Sequence, residues 1–388
     1  MFALFSCFFS RYLPLFAGLA LALGMGFGIL VASPSAQAAS ETEEILSHLA
    51  ERVITGHIQP RYKDLQQKSS ELALGMAQFC ETGGSLHAPR QLFTKTVLAF
   101  AAIDHIQFGP ASEEYRLERF AYWPDRKGRG LRAVRRVLKS GDKTVWKAAA
   151  LSQKSVAVQG LTALEFLLYG KGSETLATVD GSEANAAANF RCRYGLGIAQ
   201  NLQAIATELS DEWQAGAPIV TALLAPGAGN KLYRTRKEVI LEFYKVVTAG
   251  LSRIHDLKMS PLIGRDAAHA KPRRAAFWRS GMALDVIRQN LTAIEDLITV
   301  GRFRELLPKK PIDLPAYVDK LFQYQYRAID GFKGDKHRGD IALILQDENG
   351  RAAFQQLMNK INHTAVGFGR NLAVAADLPM GFNASDGD

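Results

Sequence analysis

The residue of this chain best placed to do chemistry is a carboxylate in greasy surroundings. Glu165 lies in Ser155-Val-Ala-Val-Gln-Gly-Leu-Thr-Ala-Leu-Glu-Phe-Leu-Leu-Tyr-Gly170, where Ala157, Leu161, Leu164 and Leu168 recur at helical spacing. That periodicity predicts one helix over the segment, with a core-facing stripe beside Glu165. An ionised carboxylate out of water is costly unless a cation, a metal or several hydrogen bonds meet it. Glu165 therefore anchors either a structural ion pair or a working site.

Histidines supply the other metal-competent groups. His48 and Glu51 stand three residues apart, a spacing that either presents two ligands to one metal or forms a solvated polar face. His57, just before Pro60, either caps helix carbonyls or coordinates a metal. His105, His255 and His363 lie on or beside apolar stripes, where a lone histidine is expected to be a hydrogen-bonded core residue. The chain has no H-E-x-x-H helix and no local serine or cysteine nucleophile motif. Residues 126–147 hold nine basic residues, with Arg129, Arg132, Arg136 and Lys139 opposite Leu131, Val134 and Leu138 on a helix. That face is either solvated or a site for phosphate, a heparin-like chain or lipid headgroups.

The elements that must carry these residues read as helical almost throughout. Glu41–Ile58 reads as a helix ended by Pro60, followed by helices over residues 61–80, 87–107, 113–120, 130–139 and 183–213. A Gly/Pro-rich stretch, Ala215-Gly-Ala-Pro218 and then Pro226-Gly-Ala-Gly-Asn230, is the expected domain boundary. Beyond it, Ile240–Ile254, Phe277–Ile298 and Phe354–Ala375 carry apolar stripes, and Leu314–Phe332 supplies a further helix. Steps of three and four throughout describe antiparallel bundle packing.

The first residues address the compartment. Arg11 is the only charge before Glu41, and Leu13–Ala32 is nearly all apolar, ending in Ala36-Gln37-Ala38. This predicts a signal peptide over residues 1–38, with an uncleaved anchor as the other reading. Export leaves Cys80 and Cys192, which are expected to pair in an oxidising compartment, the alternative being two buried free thiols. No third thiol or adjacent histidine pair supports a zinc–cysteine site. The 388-residue chain has a net charge of +9, which suits anionic surfaces or acidic ligands. Nucleic acid is not expected as a partner outside the cytoplasm, nor is a membrane-spanning mature form.

Three segments together resemble imelysin-like envelope proteins: Phe108–Asp125, Gly160–Tyr169 and the tail Pro379–Asp388. The resemblance covers essentially the mature chain. It implies two helical bundles with a functional site between them, a metallopeptidase classification resting on a Gly-x-His-x-x-Glu helix, and a link to iron-regulated envelope proteins and iron uptake. Gly160 and Glu165 match that motif, but Thr162 stands in place of its histidine. A hydroxyl is a poor ligand for a first-row metal where imidazole is a good one. His57, Glu114 or Glu118 could substitute as ligands. Alternatively Glu165 pairs with Arg116 or Arg119, in the segment reaching Trp123, and leaves a pocket that binds without chemistry. The tail residues Asn383, Asp386 and Asp388 either supply oxygen ligands or form a solvated terminus.

The expectation is thus an all-α protein of two tandem bundles, residues 39–215 and 236–388, joined by a linker over 216–235. Exported to the periplasm or cell envelope, it would bind a metal or iron-related ligand between the bundles, with envelope iron-uptake proteins as partners. The expected binding residues are Glu165, Thr162, Arg116, Arg119, Trp123, Asn383 and Asp386, with Glu165 and His57 as ligands of iron or another divalent metal. Metallopeptidase-like hydrolysis with Glu165 as the catalytic residue is the alternative, and a non-catalytic scaffold is the third.

Overall fold

Nine helices position the site in the computed structural model, which describes residues 34–378 except 126 and 376. They are α1 (Gln59–Thr82), α2 (His87–Ala101), α3 (Arg129–Ser140), α4 (Leu161–Tyr169), α5 (Ala186–Glu212), α6 (Arg236–Arg253), α7 (Ala283–Val300), α8 (Leu314–Gly334) and α9 (Glu348–Ala375). No strand occurs among the described residues, so the fold is all-α. No described helix is long and apolar enough to cross a membrane. The expected leader falls mostly on residues 1–33, outside the described ones, as do Asn383 and Asp386.

Helical spacing of apolar residues explains the packing. In α1, Tyr62, Leu65, Leu72, Met76 and Phe79 are buried at steps of three, four and seven, and the helix lies against α2 and α5. Cys80 near the end of α1 and Cys192 in α5 form a disulfide, with Cα atoms 5.6 Å apart. In the second half α9 packs on α6 and α8, burying Phe354, Met358, Ile361, Ala365, Phe368 and Leu372. Helices α2 and α7 pack against each other and carry the core from one half into the other. The described residues from Glu41 onward form one compact unit. The stretch expected as a linker includes a short helix, Pro218–Leu224, with Ile219, Val220 and Leu223 buried. The segment after it is mostly exposed as far as Lys237, apart from Tyr233.

Several boundaries differ from the sequence reading. Pro60 does not end a helix: a π-turn over Ile54–Ile58 feeds directly into α1, with Pro60 in its first turn. A proline lacks only a donor that a first turn leaves unpaired anyway. The helix expected from Ser155 begins only at Leu161, after a 3₁₀ turn at Val156–Val158. Gly160 is the N-cap there, and a Cβ on it would come within 2.6 Å of the Arg119 and Phe120 carbonyl oxygens. The stripe starting at Phe277 is also not one helix, because α7 starts at Ala283 and residues 275–282 turn sharply before it. Gly281, at φ +75°, supplies the left-handed backbone which that turn requires.

Candidate functional site: a cationic cleft over a buried glutamate

Helix α4 is nearly wholly apolar and therefore buried, with Ala163, Leu164, Phe166, Leu167 and Leu168 all inside. Glu165 is carried in with them and is only 2% exposed. What meets it is the turn before α7. Phe277 there holds φ +53°, a strained value for a bulky residue, and the chain that follows aims two successive amides at one oxygen. The Arg279 and Ser280 backbone N–H groups each donate to Glu165 Oε1 at 3.0 Å, and the Ser280 hydroxyl lies 3.0 Å from the same atom. An Arg279 guanidinium nitrogen stands 3.9 Å from Oε2. Burial pushes the Glu165 pKa up, while the Ser280 hydrogen bonds and the Arg279 charge pull against it.

Above this pair opens a cleft of about 810 Å³. Helix α3 contributes Leu131, Val134 and Arg135, α4 contributes Thr162, Glu165 and Phe166, and the far side is Arg273–Arg279. The Trp123 indole closes one end and donates to the Arg274 carbonyl oxygen at 3.2 Å. Asp125, also on the wall, accepts from the backbone N–H groups of Arg129, Gly130 and Leu131 and so starts α3. The walls thus come from both sides of the 216–235 stretch.

Of the expected site residues, the cleft brings together Glu165, Thr162 and Trp123. Arg116 is not part of it: its guanidinium makes a two-pronged pair with Glu212, at 2.6 and 2.9 Å. Arg119 reaches Gln159 at 3.4 Å and Glu114 at 3.7 Å instead of Glu165. The cation beside Glu165 is Arg279. The sequence reading missed Arg279 and Ser280 because Phe277–Ile298 looked like a continuous helix. Gly281 and the cations of Lys271-Pro-Arg-Arg274 were the signals of a loop there.

His57 belongs to a second buried network. Its Nδ1 donates to Asp296 at 2.8 Å, which Arg61 also meets at 2.9 Å. Its Nε2 lies 2.9 Å from His105 Nε2. Burial lowers the His57 pKa to about 4 and holds the His105 pKa well below its usual value. With Nδ1–H spent on the carboxylate, the neutral His57 Nε2 accepts from His105. Alongside, Lys258, on a second π-turn (Ile254–Met259), donates to Asp104 and Asn290 at 2.5 and 2.6 Å. His57 therefore neither caps a helix nor faces the cleft. His363 is exposed and His255 half-buried, so only His105 of those three is a core residue.

A metal fits these residues poorly. Among the described residues no group of three or more His, Cys, Asp or Glu side chains could hold one. At the cleft floor Glu165 Oε1 already accepts from two amides and meets a hydroxyl, and its neighbour Thr162 offers no imidazole.

The chain is thus an all-α protein with a cationic cleft over one buried carboxylate, and comparison with known families narrows its class. The imelysin family model matches residues 58–366, and the chain belongs to that family. It is similar in fold to an imelysin-like protein from Psychrobacter arcticum 273-4, with a TM-score of 0.67 at 18% identity over 87% of this chain and 98% of that one. It is likewise similar to a protein described as an iron-regulated protein A precursor, from Parabacteroides distasonis ATCC 8503. There the TM-score is 0.64 at 14% identity, over 85% of this chain and 95% of that one. No curated protein matches the chain.

Proposed function

We propose that this chain is an exported binding protein of the cell envelope that holds an iron-related ligand in the cleft above Glu165. The observation that carries this reading is the state of that carboxylate. A peptidase needs a carboxylate free to activate water or to sit beside a metal that does. Here Glu165 Oε1 is engaged by three donors, and a guanidinium stands by Oε2. Such a group organises the floor of a pocket. The iron relation is supported by the description of the Parabacteroides neighbour. The N-terminal apolar run and the Cys80–Cys192 disulfide support export.

The test is the composition of the protein as purified from its native envelope, followed by thermal melts. Stoichiometric iron, with a melting temperature that falls when the ligand is stripped and recovers on its return, is the expected result. Chelator-sensitive cleavage of an unfolded protein, abolished in Glu165→Gln, would instead establish the hydrolase.

A further inference from the structure

The cleft is lined by five cations, Arg135, Lys171, Arg273, Arg274 and Arg279, against two carboxylates, Asp125 and Glu165. Both carboxylates are already committed, Asp125 to the first amides of α3 and Glu165 to the 279–280 turn. Of the five cations only Arg279 stands near a carboxylate, at 3.9 Å, and the other four make no ion pair among the described residues. Arg279 is also stacked, 4.3 Å from the Trp278 ring centroid and 5.6 Å from that of Phe166. Stacking fixes the plane of a guanidinium and leaves its edge donors available. Burial chiefly, and then the charges of Arg135 and Arg273, weaken its hold on its proton. An anion placed between these groups relieves that repulsion, whereas a bare cation adds to it.

We propose that the cleft takes an organic polycarboxylate, so that iron enters as a carboxylate chelate and not as a naked ion. The inference rests on the binding reading above and names the chemistry of its ligand. Planar guanidinium forks match carboxylates two bonds at a time. The indole of Trp123 offers flat apolar surface to the carbon skeleton, and a cleft of about 810 Å³ holds a chelate of that kind. Thr162, where the family motif has histidine, fits the same picture: with the imidazole gone, recognition passes from the metal to the groups that carry it.

Calorimetric titration of the purified chain with citrate, ferric citrate, inorganic phosphate and ferrous ion alone tests this. Citrate and ferric citrate should each bind once per chain, more weakly as salt rises, and ferrous ion alone should not bind. Arg273 and Arg274 are exposed, so Arg273→Ala with Arg274→Ala should fold normally and weaken citrate at least about tenfold. Lys139→Ala, on the outer face of α3, should leave binding unchanged. Ferrous ion binding on its own, with citrate ignored, overturns the polycarboxylate and leaves the binding reading standing. Phosphate binding as tightly as citrate overturns it too. If none of the four binds, both readings fall together.

Discussion

At the scale of single residues the molecule turns on Glu165. Its charge is tolerated inside an apolar helix because a strained turn offers two amides and a hydroxyl, with Arg279 alongside. Removing the carboxylate strands all of these donors. Glu165→Ala should cost about 3–5 kcal/mol in urea denaturation, the penalty of breaking a buried pair. Glu165→Gln should lose less, because an amide oxygen still accepts the same N–H groups. An alanine variant as stable as the parent would show that the turn does not depend on the carboxylate. That Glu165 needed a partner was legible from its neighbours. Which partner was not, because Arg116 and Arg119 are near in sequence whereas Arg279 lies 114 residues away in chain order.

Among the elements, α1 and α5 form the spine of the first half, and the Cys80–Cys192 bond ties them across 112 residues of chain. In the chain-entropy model a loop of that length is worth about 4–5 kcal/mol. Cys192→Ser should lower the unfolding free energy toward that amount while the circular-dichroism helix signal at room temperature persists. A variant with an unchanged denaturation midpoint would make the bond incidental. The two π-turns matter for a different reason. Each brings a polar side chain, His57 or Lys258, into the region where α2 meets α7. Apolar periodicity predicts helices but is blind to such a local widening, so His57 read as a helix end.

At the scale of the whole molecule, two buried imidazoles make stability depend on pH. His57, with its pKa near 4, and His105, lower than usual, stay neutral in the fold while unfolded histidines take up protons below about 6.5. The unfolded state therefore binds more protons, and stability falls as the medium is acidified from about 6.5 toward 4. For His57 alone the loss is on the order of 3 kcal/mol across that window. Denaturation midpoints at several pH values should show a shallower decline in His57→Leu than in the parent, and equal slopes would refute the assignment. Glu165, its pKa raised, works in the opposite sense, so the comparison with the variant isolates the histidine. The division into two bundles remains our proposal for how the chain is organised. Limited proteolysis should cut near Pro226–Asn230, and the two pieces should stay together in gel filtration because α2 and α7 share one core.

The order of residues alone determined that this chain is helical, since apolar steps of three and four leave no alternation from which a sheet could be built. It also predicted that Glu165 would lie at least partly under the surface, because Leu161 and Leu168 stand beside it on the core-facing stripe of the helix. Only the tertiary structure decided what the site is. A helix pattern cannot report that residues 275–282 leave the helix, turn at Phe277 and Gly281, and bring Arg273, Arg274 and Arg279 across the cleft from α4. Charge recognition between distant segments depends on that path. The path is set by long-range packing, which local periodicity does not record.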